Sequence, residues 1–227
     1  MSLRSIGNSC RMRFGTWRRV NRFIEVGIFA AVLFSSRAAF GAPAIVIDQG
    51  TLNGFTVSGE NEYLGIPYAA PAVGNLRWLP PQPPAPFNGI FQATQFASRC
   101  TQVLNGVGPL AGSEDCLYLN VYVPDADPPP HGFPVMVWIH GGGFAYGAAS
   151  EYDPTPLVEK GNVIVVTINY RVSVLGFFAH PAIDAEGHLN ANYGLMDQQF
   201  ALKWVKRNIG AFGGNSRRVT IFGESAG

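Results

Sequence analysis

Five residues near the end of the chain, Gly223-Glu224-Ser225-Ala226-Gly227, set a serine between two glycines in a G-x-S-x-G pattern. The run before them, residues 218–222, is rich in β-branched and aromatic residues and bounded by glycine, so it reads as a strand. After a strand, G-x-S-x-G predicts a sharp turn that lifts the serine above the end of a sheet. The two glycines remove side chains where the strand and a following helix would collide. Ser225 would be held strained and exposed, with its Oγ free to attack a carbonyl carbon. A second stretch, His140-Gly141-Gly142-Gly143-Phe144, closes the apolar run 134–140. Glycines in a row let backbone N–H groups point unobstructed into a cavity. Fixed donors of that kind stabilise the oxyanion of acyl transfer, at about 2.7–4 kcal/mol for each donor. Alone, each pattern is a weak signal. Together, in this order and each at the end of a predicted strand, they point to hydrolysis of carboxylic esters through a serine acyl-enzyme.

The elements that must carry these loops follow from the apolar pattern. Residues 116–123 read as a strand, and 134–140 and 163–170 as nearly continuous apolar strands of a sheet covered on both faces. Residues 156–160 read as a short helix. Residues 195–209 have helical spacing, with Leu202, Val205 and Ile209 on one face and Lys203, Lys206 and Arg207 pointing outward. Gly210, Gly213 and Gly214 stop that helix. The alternation predicts an α/β fold with a mixed, mostly parallel sheet flanked by helices. A small antiparallel hairpin over 44–58 precedes it, with a further extended piece at 62–67. The proline-dense stretch 80–86 reads as a stiff surface connection rather than a ligand for a proline-binding module.

The net charge of +1 hides an asymmetry: residues 1–41 carry +6 and the remainder −5. The basic part has the layout of an export signal. Six arginines from Arg4 to Arg22 precede an apolar run at 26–34 and small residues for cleavage after Gly41. That apolar run is short against the ~20 residues that span a bilayer, so no stable membrane anchor is expected once the signal is removed. The mature chain would be secreted or periplasmic, and its acidic balance offers no nucleic-acid surface. Of the three cysteines, Cys10 leaves with the leader. Cys100 and Cys116 remain as an even pair that argues for a disulfide, against the competing reading of two buried thiols. No His/Cys/Asp spacing suggests a metal site, and no phosphate-binding Gly-Lys-Ser/Thr ending follows the glycines, so no cofactor is expected.

Residues 212–227 and 114–124 resemble the two signatures of the type B carboxylesterase, or cholinesterase-like, family of α/β-hydrolases. Residues 63–69, 76–78, 169–171 and 192–199 support the resemblance, which extends over 43–227. The family often has Gly-Gly-Asp-Pro where this chain has Gly213-Gly214-Asn215-Ser216, a surface-turn change. The resemblance implies that Ser225 is the nucleophile and that the N–H groups of Gly142, Gly143 and Ala226 form the oxyanion hole. It implies that Glu224, His140 and Phe144 line the site, and that Cys100 and Cys116 form the family's first disulfide. Arg77 with Glu114, and Arg171 with Asp197, match positions of structural ion pairs. Cholinesterases carry a tryptophan in the loop closed by that disulfide. Here the loop 101–115 has no aromatic residue, so a small neutral carboxylic ester is the expected substrate rather than a choline ester.

In this fold the triad runs Ser, then Asp or Glu, then His along the chain. His131, His140, His180 and His188 all precede Ser225, which argues against each as the catalytic base. The chain is therefore expected to be the front part of a longer hydrolase, truncated just after the turn and inactive alone. An inert adhesion or interaction protein on the same scaffold is the alternative. The intact Ser225 and H-G-G-G loop favour the enzyme. Acyl and alcohol preference and oligomeric state are not legible.

Overall fold

The computed structural model describes residues 40–57, 59–187 and 191–227. The export signal read at 1–41 falls outside these residues except for Phe40–Gly41, and His188 falls outside them as well. The strands are Phe40–Gly41 (β1), Ile45–Ile47 (β2), Gly50–Asn53 (β3), Phe55–Val57 (β4), Glu60–Pro67 (β5), Phe91–Gln92 (β6), Gln102–Val103 (β7), Leu110–Ala111 (β8), Tyr118–Pro124 (β9), Phe133–Ile139 (β10), Ile164–Ile168 (β11) and Gly214–Gly223 (β12). The α-helices are Thr155–Gly161 (α1), Ser173–Phe177 (α2), Pro181–Asp184 (α3) and Tyr193–Asn208 (α4).

The main sheet is mixed, in the order β1-β4-β5-β9-β11-β10-β12. Parallel pairing is confined to β10 with its two neighbours, β11 and β12. In this sheet β1, β4, β5 and β9 pair antiparallel in turn, and β9 meets β11 antiparallel. Helical crossovers account for the division: α1 joins β10 to β11, and α2 to α4 lie between β11 and β12. The stretch 44–58 serves two sheets rather than one hairpin. β2 and β3 form the hairpin beside β6, whereas β4 pairs with β5 in the main sheet. Gly54 makes the crossing: a Cβ there would run into the Glu62 carbonyl and lie 2.6 Å from the Tyr63 ring.

Alternation along the central strands sends side chains to two cores. Val135, Val137 and Ile139 of β10, with Ile164, Val166 and Ile168 of β11, join the large core that includes Ala201, Trp204, Val205 and Ile209. Val165 instead joins Leu64, Tyr122 and Val158 in a smaller core against α1. On α4, Val205 is buried, Leu202 is half-buried, and Lys203, Lys206 and Arg207 are exposed, and Ile209, in the turn that follows, is buried, so the helical face reads as its spacing predicts.

Two short helices occupy a region that the sequence presents as loop. α2 has Gly176 pressed onto the Arg171 carbonyl, where a side chain would not fit. Its shape is thus set by packing rather than by propensity. His180 caps α3, its Nδ1 accepting the Ala182 amide at 3.1 Å.

Candidate active site

The two glycine-containing loops meet because their strands are parallel neighbours in matched register. Trp138 stands opposite Phe222, and Ile139 opposite Gly223. The chain therefore leaves β10 and β12 side by side at the same end of the sheet.

The turn after β12 is tight. A Cβ on Gly223 would lie 2.5 Å from the Gly227 carbonyl carbon and 2.6 Å from the Ile139 oxygen. A Cβ on Gly227 would overlap the Ile139 oxygen, so both glycines are required by close backbone approach. The Gly227 amide donates to the Glu224 carbonyl at 2.8 Å and closes the turn. Between them Ser225 is exposed and held at φ +56°. For a residue with a Cβ that conformation costs about 1–2 kcal/mol.

The H-G-G-G loop packs directly on this turn. A Cβ on Gly141 would stand 2.6 Å from both the backbone oxygen and Oε2 of Glu224, and 3.1 Å from the Ser225 Cβ. Within the loop the Gly142 carbonyl accepts the Ala145 and Tyr146 amides at 3.0 and 3.2 Å. Gly142 lies at φ +98° and has no room for a side chain beside Tyr146. Gly143 lies at φ +61° with open space where a Cβ would be. Phe144, also at positive φ, lies tilted against Phe177 with ring centres 4.9 Å apart, and its carbonyl accepts the Ser173 amide at 2.6 Å.

His140 anchors the start of the loop. It is 1% exposed and stacks on Tyr170 at 4.3 Å between ring centres. The Tyr170 hydroxyl donates to the His140 carbonyl at 2.7 Å. Nδ1 lies 2.9 Å from the Gly141 carbonyl, which can only accept, so Nδ1 is the protonated nitrogen. Burial lowers the His140 pKa below its usual 6.5, against weaker opposing effects from the Gly141 backbone and the Glu151 carboxylate. The ring is thus neutral at neutral pH.

Tyr152 is a neighbour that no sequence pattern marks. Its ring lies 4.8 Å from that of Trp138, which lies 4.9 Å from Phe222. Its hydroxyl pKa is raised by burial and by the Glu151 and Glu224 carboxylates, and opposed by a hydrogen bond with the Gly141 backbone. Tyr152 and Tyr170 touch the loop through backbone groups, and such contacts leave no trace in residue spacing.

The remaining candidate residues lie around the disulfide. Cys100 and Cys116 are joined. Arg77 Nε and Nη2 donate to the two Glu114 oxygens at 2.6 and 2.7 Å on the surface. Arg171 makes the buried counterpart, giving Nε and Nη2 to Asp197 at 2.8 Å each and its backbone amide at 3.0 Å. Arg77, Glu114, Arg171 and both cysteines line one small cavity. Among the described residues no group of three or more His, Cys, Asp or Glu is placed to hold a metal ion. An exposed serine beside a glycine loop is therefore the chemistry on offer, with the remaining candidates acting as supports.

The profile of the Carboxylesterase family matches residues 41–227. The chain is 49% identical over 179 residues to a fumonisin B1 esterase of Sphingopyxis macrogoltabida, covering 75% of this chain and 33% of that protein. It is 46% identical over 183 residues to the pyrethroid hydrolase Ces2e of Rattus norvegicus, covering 76% of this chain and 32% of that protein. Among solved structures, a PNB esterase superposes with a TM-score of 0.74 at 45% identity, covering 81% of this chain and 38% of that one. The chain spans about a third of the length of the curated relatives it matches. Signature, topology and likeness agree, and the chain belongs to the carboxylesterase family, with the α/β-hydrolase fold.

Proposed function

We propose that this chain is the nucleophile-bearing part of a serine carboxylic-ester hydrolase. Ser225 Oγ attacks the ester carbonyl and forms an acyl-enzyme with release of the alcohol, and water then releases the acid. The N–H groups of Gly142, Gly143 and Ala226 hold the developing oxyanion. Glu224, His140 and Phe144 line the site. The observation that carries this reading is the contact of Gly141 with Glu224 and Ser225, which brings the glycine loop against an exposed serine at positive φ.

The proton from Ser225 goes to a histidine supplied by further polypeptide of the relatives' length, since triad order in this fold puts acid and base after the serine. His140 is a poor substitute: it is buried against Tyr170 with Nδ1 engaged by Gly141. Residues 43–227 are then the first part of the hydrolase domain, and 1–41 an export signal that directs it to the periplasm or outside the cell. The substrates are small neutral carboxylic esters. The loop 101–115 has no aromatic residue to hold a cationic choline group, and one relative is named for pyrethroids, which are neutral esters. The 227 residues alone have no Ser225-dependent activity and fold poorly. Ile221 on β12 is 58% exposed, and among the described residues β12 is paired on one side only.

The test is to complete the protein. The chain is fused at Gly227 to the C-terminal two thirds of the fumonisin B1 esterase and assayed on p-nitrophenyl acetate, beside its Ser225→Ala variant and the 227-residue chain. Turnover by the fusion alone supports the reading. Turnover that survives Ser225→Ala refutes it, and a folded but inert fusion counts against it.

A further inference from the structure

Residues 98–102, which open the disulfide loop, run beside residues 147–151, which leave the glycine loop, and side chains stitch the two. Asn169 accepts the Ala149 amide at 2.8 Å and donates to the Ser98 carbonyl at 3.1 Å. Arg99 pairs with Glu151 at 2.5 Å. The central stitch is Gln102, only 2% exposed. Its Oε1 accepts the Gly147 amide at 2.8 Å, and its Nε2 donates to the carbonyls of Gly147 and Cys100, also at 2.8 Å each. One side chain thus holds both polar groups of a single glycine and ties them to a disulfide-bonded residue.

Gly147 is a sensitive point to hold. It lies at φ +119°, and a Cβ there would overlap the His140 ring and come within 2.8 Å of the Gly141 carbonyl. Gly141 in turn packs on Ser225. Close packing therefore runs from Gln102 through Gly147 and Gly141 towards Ser225. Both ends of the glycine loop are fixed: its start by β10, and its exit by Gln102.

We infer that Gln102 is a positioning residue for the oxyanion donors, fixing the exit of the glycine loop so that Gly142 and Gly143 face the carbonyl attacked by Ser225. The inference rests on the esterase reading above. A side-chain amide is needed because the site presents one donor and two acceptors. A carboxylate of the same length would face two carbonyl oxygens with no hydrogen to offer, and a thioether would satisfy none of the three.

The test uses Gln102→Glu and Gln102→Met in the completed protein described above. Each is expected to lower kcat on p-nitrophenyl acetate about tenfold, the scale of one oriented hydrogen bond, with KM within about twofold. Amide hydrogen exchange over 141–148 should accelerate in both. Relative to the parent at the same pH, Gln102→Glu should recover kcat as pH falls from about 8 to 5, because burial against two carbonyl oxygens raises the carboxyl pKa and the protonated carboxyl regains a donor, and Gln102→Met should not. Unchanged kcat and unchanged exchange overturn the inference, as does a rise in KM alone. So does a Gln102→Glu variant with no recovery on acidification. If Gln102→Met fails to fold, the acid recovery of Gln102→Glu decides. If the parent shows no Ser225-dependent turnover, the esterase reading falls, and the exchange over 141–148 still decides whether Gln102 holds the loop.

Discussion

Gly141→Ala tests the contact between the two loops with a single methyl group. Gly141 is not at positive φ, so alanine meets no left-handed strain there and the steric clash dominates. The new Cβ would stand 2.6 Å from two oxygens of Glu224, where ordinary contact begins at 3.4 Å, so the loops must part by close to the difference. Overpacking of this kind costs about 1–3 kcal/mol, and a displacement near 1 Å at reacting groups costs about a hundredfold in rate. Gly143→Ala is the control. It adds a methyl into open space, and its price is a left-handed alanine, about 1–2 kcal/mol of stability. In the completed protein, kcat on p-nitrophenyl acetate should fall about a hundredfold for Gly141→Ala and less than about tenfold for Gly143→Ala. Equal activity of Gly141→Ala and parent would refute the packing of the glycine loop on the serine turn.

Other perturbations read the scaffold. Asp197→Ala leaves Arg171 buried and unpaired, and should lower unfolding free energy by about 3–5 kcal/mol in chemical denaturation. Replacing Cys100 and Cys116 together by serine removes a cross-link that should be worth about 3 kcal/mol, read as a lower denaturation midpoint. Glu60 is buried, with Oε2 unpaired and Oε1 accepting from Thr155 at 2.6 Å. Burial raises its pKa from 4.5 to about 7, with the Thr155 bond opposing and the Glu62, Asp153 and Glu159 carboxylates adding. Its contribution to stability is therefore fully present below the unfolded value and lost as pH rises through about 7, up to about 3 kcal/mol. Glu60→Gln should stabilise the protein at pH ~8, do little at pH ~4, and flatten the profile; an equal effect at both would count against this.

The two loops of the candidate site were legible because each is a local pattern. A Ser between glycines after a strand, and a glycine run after another, are contiguous patterns, and each strand appears within a few residues of its predicted place. The meeting of the loops was not local, since it depends on β10 and β12 being adjacent and matched at Ile139 and Gly223. Features set by tertiary contact alone stayed hidden. α2 depends on Gly176 fitting over the Arg171 carbonyl, and β4 leaves its hairpin because Gly54 lets it cross to β5. Gln102 is one polar residue of a loop of mixed composition, and its role lies in two backbone groups of Gly147, 45 residues away.

The most direct measurement of the central claim is covalent. The completed protein is treated with diethyl p-nitrophenyl phosphate, digested, and its peptides weighed. The account predicts one diethylphosphorylated peptide carrying Ser225, formed together with loss of activity and absent after Ser225→Ala. Inactivation with Ser225 unmodified, or the same labelling after Ser225→Ala, would contradict it.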